Sequence, residues 1–334
     1  MHAQITGWGK YLPQRVLTNK DLERLVDTSD EWIVTRTGIR ERRIVADDET
    51  ASTMAVAAGR GALEVARLSP DLLDMVIVAT NSPDRIMPAS AALVQHALGA
   101  KKAAAFDIVG ACSGFIYALV SAYQYIAAGA YRNILVVASE AISRAMNWED
   151  RSTCVLFGDG AGAVVVQANE HATDMLSFVM GNDGSGADLL YINHPCGLPA
   201  SVSNDRRYYM IMKGREVFKF AVRAMAEASK QVIDAAGLNI SDIDLFIPHQ
   251  ANDRITKAAI KALDIPEDRV FKNLEHYGNL SAASPAVALC EAAEQKRLKA
   301  GDLAVLVAFG AGLSWAAMVL RWQPGGPVKR DDRS

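Results

Sequence analysis

Asn133–Glu140 reads NILVVASE, and Asp302–Gly310 reads DLAVLVAFG. Each is a short apolar run opened by a polar residue, the composition of a strand buried on both faces. Each also follows another such run: Leu73–Thr80 (LDMVIVAT) in the first case and Ile243–His249 (IDLFIPH) in the second. Asp74 and Asp244 stand 170 residues apart, and Asn133 and Asp302 stand 169 apart. A glycine-rich turn and a further strand come next in both places, GDGAGAVVVQ at 158–167 and GAGLSWAAMVLRW at 310–322. Similar strands at some spacing occur in any α/β chain, but here the order agrees as well as the offset. We therefore expect a duplicated unit of about 150 residues.

Between these runs lie helical patterns, the alternation of an α/β fold. The expected halves are 1–172, carrying a candidate nucleophile, and 173–323, with a tail over 324–334 (PGGPVKRDDRS) expected to be disordered. At 334 residues, half of them hydrophobic, the chain can bury a large core. A formal net charge of −3 argues against nucleic acid as the main partner. The uncharged stretches Ile108–Tyr131 and Leu303–Leu320 are punctuated by glycines or polar residues and read as core segments rather than membrane spans. The opening, MHAQITGWGKYLP, has no signal-peptide pattern. Cys112, Cys154, Cys196 and Cys290 lie far apart without a CxxC. That spacing fits a cytoplasmic protein with free thiols and neither a disulfide framework nor a metal site.

Lys102–Val109 reads as a strand and Cys112–Ala128 as a helix, with Gly110 and Ala111 forming a tight turn between them. Cys112 is thereby expected at a helix N-terminus, where the dipole and free N–H groups favour a thiolate. On its own, a cysteine beside an apolar helix is more often a core residue. His249 follows a strand in PHQAN, and Asn279 lies in HYGNLSAAS before another helical run. Singly, both types are commonly structural. All three stand at the carboxyl ends of strands or in the turns after them, where α/β proteins place their sites.

VGACSGF around Cys112, PHQAN around His249 and GNLSAAS around Asn279 resemble the three motifs of β-ketoacyl-acyl-carrier-protein synthase III. FGDGAGAVV at 157–165, AFGAGLSW at 308–315 and TSDEWIVTRTGIRERR at 28–43 resemble further motifs of that family, so the likeness runs from about residue 3 to residue 322. The resemblance implies a thiolase-like fold of five layers, αβαβα, in two similar halves, and a homodimer. It implies that Cys112 takes the acyl group of an acyl-CoA as a thioester. The backbone N–H groups of Cys112 and Ala311 would form the oxyanion hole, Ala311 standing where glycine is usual in the family. His249 and Asn279 would donate hydrogen bonds to the enolate left when malonyl-acyl-carrier protein loses carbon dioxide. No metal and no cofactor is required, the CoA thioesters being substrates.

The resemblance also assigns CoA contacts to Thr28, Trp32, Arg36, Arg151 and Asn252. Trp32 and Arg151 would enclose the adenine, and Arg36 would meet phosphate. Thr28–Glu31 fits a capping box opening a short helix that carries Trp32. Arg254, Lys257 and Lys261, three and four residues apart, form a basic helical stripe suited to an acidic carrier protein. Met87, in RIMPAS at 85–90, matches a residue that reaches across the family's dimer interface into the partner's acyl pocket. Methionine there implies a pocket that accepts more than acetyl groups. Two other functions compete. A thiolase-fold acyltransferase acting on oxygen or nitrogen need not keep Asn279, and a non-catalytic binding subunit would lose a triad residue. Chalcone-synthase-like enzymes share the triad logic but have longer chains.

Overall fold

The acid that opens each duplicated strand makes the same connection in both halves. In the computed structural model, which describes residues 1–170, 174–193 and 208–323, Asp74 N–H donates to Asn133 O (2.9 Å) and Asp74 Oδ2 accepts from Asn133 N–H (2.8 Å). Asp244 repeats both bonds with Leu303, each at 2.9 Å. One carboxylate thus fixes the register at which the first strand of each pair meets the second.

The first half runs β1 (His2–Tyr11), β2 (Arg15–Thr18), α1 (Asn19–Leu22), α2 (Asp30–Thr37), β3 (Glu41–Ile44), α3 (Ala51–Ala66), β4 (Met75–Ala79), α4 (Ser90–Leu98), β5 (Ala104–Ile108), α5 (Gly114–Ala127), β6 (Asn133–Glu140) and β7 (Gly160–Asn169). The second runs β8 (Met175–Asn182), β9 (Leu190–Ile192), β10 (Met210–Met212), α6 (Gly214–Ala235), β11 (Leu245–Pro248), α7 (Asp253–Leu263), α8 (Leu274–Tyr277), α9 (Ala283–Glu294), β12 (Leu303–Gly310) and β13 (Ser314–Arg321). The large sheets have the orders β1-β7-β6-β4-β5 and β8-β13-β12-β11, so among the described residues the second follows the plan of the first without its last strand. Where a counterpart of β5 would lie there is an isolated parallel bridge, Phe246 to Val270. The small pairs β2–β3 and β9–β10 stand outside the two sheets.

Side-chain alternation along the strands sets the layers. In β6, Ile134, Val136 and Ala138 pack with α5 and α9, whereas Leu135 and Val137 pack with α3 and α4. In β12, Ala304, Leu306 and Ala308 face the same central helices, while Val305, Val307 and Phe309 face α6 and α7. The result is five layers: α3 and α4, a sheet, α5 and α9, a sheet, α6 and α7. This is the thiolase-like αβαβα arrangement that the sequence implies. Burying each Val, Leu or Ile contributes roughly 1.5–3 kcal/mol, so strands covered on both faces are apolar throughout. Helix α5 is apolar on most sides because it lies between two sheets.

Gly162 shows how closely the layers approach. A Cβ there would come within 2.6 Å of the Ala286 carbonyl carbon in α9, so this crossing of strand and helix requires glycine. The GDGAG motif has a second structural use. Buried Asp159 accepts from Val45 N (2.8 Å) and Ser143 N (2.8 Å), joining three segments.

Several local expectations are corrected. The helix expected from Cys112 begins at Gly114, after a single 3-10 turn over Ala111–Ser113. The capping box expected at Thr28 is not formed. Ser29 is the N-cap of α2, and its hydroxyl accepts from Trp32 N. Among the described residues, no helix is long and apolar enough to cross a membrane. Cys196 and the tail over 324–334 lie outside the described residues.

Candidate active site

β5 delivers the chain to a sharp elbow. Ala111, at φ 48°, lies in the left-handed region, which costs a non-glycine residue roughly 1–3 kcal/mol. The elbow places Cys112 two residues before α5, against the turn after β12. Gly310 makes that contact feasible, since a Cβ there would stand 2.6 Å from Cys112 N. The thiol is buried, only 7 % exposed, and donates to Ser281 Oγ (3.6 Å). Burial pushes it up to about 12, with the nearby Glu140 carboxylate adding in the same direction. A resting thiolate was expected from the helix N-terminus. The structure corrects this, because α5 starts beyond Cys112 and desolvation outweighs the dipole.

His249 follows β11, with its N–H on Val307 O (2.7 Å) and its ring edge-on to Phe309 at 5.3 Å between centroids. Both ring nitrogens are buried and have no protein partner among the described residues. Burial pushes the ring down to about 3, so the imidazole is neutral and donates from one nitrogen only. The neighbouring Gln250 is fully engaged: Nε2 donates to Pro248 O (2.9 Å) and Phe271 O (3.1 Å), and Oε1 accepts from Asn273 N and Leu274 N. In PHQAN, then, the glutamine holds the loop and leaves the histidine free.

Asn279 is held through its backbone, its N–H on Leu156 O (2.8 Å) and its carbonyl accepting from Gly158 N (3.1 Å). Arg42, fully buried, supports that segment by donating to Val155 O (2.7 Å). Ser281 N–H donates to Asn279 Oδ1 (2.8 Å), which fixes the amide orientation and leaves Nδ2 as the free donor. Cys112, His249, Asn279, Ser281, Ala311 and Asn252 line one cavity of about 690 Å³. The residues proposed from sequence in the two halves therefore share a single chamber.

Of the expected CoA contacts, Trp32, Arg36 and Arg151 form one cluster. The Arg36 and Arg151 Cζ atoms lie 5.0 Å and 5.3 Å from the Trp32 ring centre. Asn252 links this cluster to the cavity, its Nδ2 donating to Arg36 O (3.1 Å). Thr28 lies just before α2, and its buried Oγ1 has no partner among the described residues. On α7, Arg254, Lys257 and Lys261 are all exposed. Lys257 is ion-paired to Asp253 (2.6 Å), and Arg254 stacks on Phe218 of α6 (5.6 Å). Lys213, Arg215 and Lys219 are exposed around Phe218, basic residues that the single-helix spacing did not bring into the stripe. Met87 is 79 % exposed and does not line the cavity of its own chain.

Glu140 was also missed. It ends β6 fully buried and accepts from Asn81 Nδ2 (2.6 Å), Asn81 N (3.1 Å) and Ser82 Oγ (2.6 Å). Its signal was available, as the one charge in NILVVASE, placed at the carboxyl end of a buried strand.

The family described as 3-oxoacyl-[acyl-carrier-protein (ACP)] synthase III matches residues 106–184, and its C-terminal part matches residues 233–322. The β-ketoacyl-[acyl-carrier-protein] synthase III of Roseiflexus castenholzii is 54% identical over 97% of this chain and 99% of its own. The crystal structure of 3-oxoacyl-[acyl-carrier-protein] synthase III from Aquifex aeolicus superposes with a TM-score of 0.90 at 51% identity, covering 96% of this chain and 100% of that one. The priming β-ketosynthase of the R1128 polyketide pathway gives 0.92 at 37% identity, covering 96% of each. Two stretches matched by the family's models, and identity at this level along almost the whole length of both chains, show that the chain belongs to the 3-oxoacyl-[acyl-carrier-protein] synthase III family.

Proposed function

We propose that this enzyme joins the acyl group of an acyl-CoA to the carbon unit left when malonyl-acyl-carrier protein loses carbon dioxide. The product is a β-ketoacyl-acyl-carrier protein, the first condensation of fatty-acid or related polyketide synthesis. The observation that carries this is the chamber holding one thiol, one neutral imidazole without a protein partner and one amide with its N–H₂ free. Cys112 attacks the thioester carbonyl, acting as an acyltransferase in this half-reaction. The backbone N–H groups of Cys112 and Ala311 hold the developing oxyanion. Decarboxylation then builds charge on the malonyl thioester oxygen. A neutral His249 N–H and Asn279 Nδ2 stabilise it without first losing a proton. The enolate carbon attacks the Cys112 thioester, and the thiol is restored. Each step uses the chain's own groups, and neither metal nor cofactor enters the scheme.

Trp32, Arg36 and Arg151, with Asn252 and Thr28, form the CoA mouth in this account, and Arg254, Lys257 and Lys261 the carrier-protein dock. The enzyme acts in the cytoplasm as a homodimer. Ile86 (60 %), Met87 (79 %) and Val109 (79 %) are strongly exposed, Val109 directly after the edge strand β5, and they are apolar side chains that a second copy would cover.

The test supplies the protein with an acyl-CoA and malonyl-acyl-carrier protein and follows carbon dioxide and the product mass. A β-ketoacyl-carrier protein is expected. Acyl transfer to an alcohol or amine without carbon dioxide release would instead support the oxygen- or nitrogen-directed acyltransferase. Arg254→Glu with Lys257→Glu should weaken use of the carrier protein about tenfold or more while sparing acylation from CoA. If neither step changes, the dock lies elsewhere.

A further inference from the structure

Cys112 must lose a proton to become acylated, and its hydrogen bond leads away from His249. The thiol donates to Ser281 Oγ (3.6 Å), which also accepts from Asn81 Nδ2 (3.3 Å). The same Asn81 Nδ2 donates to Glu140 Oε1 (2.6 Å), so one amide group joins the Ser281 hydroxyl to the Glu140 carboxylate. The Ala282 N–H also reaches Glu140 Oε1 (3.4 Å). Ser281 and Asn81 both line the reaction cavity, while Glu140 lies fully buried behind them.

The duplication supplies an independent observation. Cys112 and Ser281 are 169 residues apart, and each stands two residues before the equivalent central helix, α5 or α9. A left-handed residue bends the chain at both places, Ala111 at φ 48° and Ser281 at φ 51°. Ser281 is itself the left-handed residue and matches Ala111 at an offset of 170, so a hydroxyl stands at the equivalent elbow of the second half, within one position of the nucleophile's place, and the two side chains meet.

We propose that Ser281 and Glu140 move the proton of Cys112 during acylation, with Ser281 touching the reacting sulfur and Glu140 acting through it as a positioning residue. The proposal rests on the acylation half-reaction given above. The S–H bond breaks and its electron pair forms the new C–S bond to the acyl carbon. The proton passes to Ser281 Oγ as the Ser281 hydroxyl turns toward the Glu140 carboxylate, which shares Asn81 Nδ2 with it, and gives up its own proton there. The CoA sulfur leaves with the electrons of the old C–S bond, and the proton returns along the same path to that sulfur. Burial raises the proton affinity of Glu140, as a proton acceptor requires, whereas His249 is pushed down to about 3 and offers no resting place for a proton near neutrality.

The two readings of Glu140 predict opposite signs. If it were only a buried charge beside the thiol, removing the charge would make the thiolate easier to form and speed its reactions. If it takes the proton, removal slows them. The test measures iodoacetamide alkylation of Cys112 and acylation by acetyl-CoA and hexanoyl-CoA, from pH 6 to 9, in the full chain. We expect Glu140→Gln and Ser281→Ala each to slow both reactions about 100-fold at pH 7, with rates rising about tenfold for each pH unit. The double variant should be no slower than the slower single one, and Ser281→Thr should recover most of the rate. A Glu140→Gln protein that reacts at or above the native rate overturns the proposal. If its thermal melt shows that it does not fold, Ser281→Ala decides alone, and a native rate there also overturns it. The alkylation arm needs no CoA substrate. A native chain that takes no acyl group, yet whose variants alkylate slowly, would sink the proposed function and leave the relay standing.

Discussion

Asn279 is informative because only part of it is free. Its backbone is paired on both sides and its Oδ1 is occupied by Ser281 N–H, so Nδ2 alone is offered to the cavity. The same holds of the PHQAN loop, where Gln250 takes the structural bonds and His249 none with either ring nitrogen. Donors kept free in this way should act on the step that builds negative charge. We therefore expect His249→Ala and Asn279→Ala to slow decarboxylation and condensation by about 10²–10³ while slowing Cys112 acylation far less. The two steps can be timed separately, by carbon dioxide release and by mass at Cys112. Equal loss of both would assign these residues to cysteine activation or folding. The triad was legible because three short motifs carry it. Thr28 misled because T-x-x-E overlaps the true cap one residue later. Glu140 and Ser281 acquire their setting only when segments 59 to 200 residues apart come together, and no local pattern encodes that meeting.

At the scale of elements, the paired strands were legible for a physical reason. A strand covered on both faces carries almost no charge, β6 having only Glu140 at its end, so its apolar run stands out, and the acid before it marks the register. One half passes to the other between the end of β7 at Asn169 and the start of β8 at Met175. There Asp174 is buried, accepting from Ile5 N (2.8 Å) and from the Tyr123 hydroxyl. Desolvation pushes its carboxyl up to about 7. The folded state therefore binds this proton more tightly than the unfolded state does. Its contribution favours folding at low pH and is lost as pH rises from about 4 to about 7. At about 1.4 kcal/mol for each tenfold change in proton affinity, the cost above neutrality is of order 4 kcal/mol. Asp174→Asn should keep the bond from Ile5 and lose this dependence. Between pH 5 and pH 8 the native melting temperature should fall several degrees more than that of the variant. Parallel curves would show that Asp174 keeps an ordinary carboxyl.

At the scale of the molecule, the five layers explain why the two halves share one site. The turns before α5 and α9 and those after β11 and β12 open into the same chamber. The duplicated plan was legible in the sequence, whereas the missing counterpart of β5 in the second sheet was not. Met87 lies outside that chamber and is exposed; in the proposed dimer it would reach the acyl pocket of the other copy. Met87→Phe should then favour acetyl-CoA over longer acyl-CoAs and Met87→Ala the reverse. A methylene in such a pocket is worth about 1–3 kcal/mol, enough to read in a competition assay. An unchanged profile in both variants would confine Met87 to packing. The central claim is that the buried Cys112 thiol carries the acyl group under donors supplied by the other half. The most direct measurement treats the full chain with an acyl-CoA and locates the added mass by peptide mass spectrometry. The predicted result is one acyl group on the peptide containing Cys112, absent in Cys112→Ser; an adduct that persists in that variant, or that lies on Cys154 or Cys290, would contradict the account.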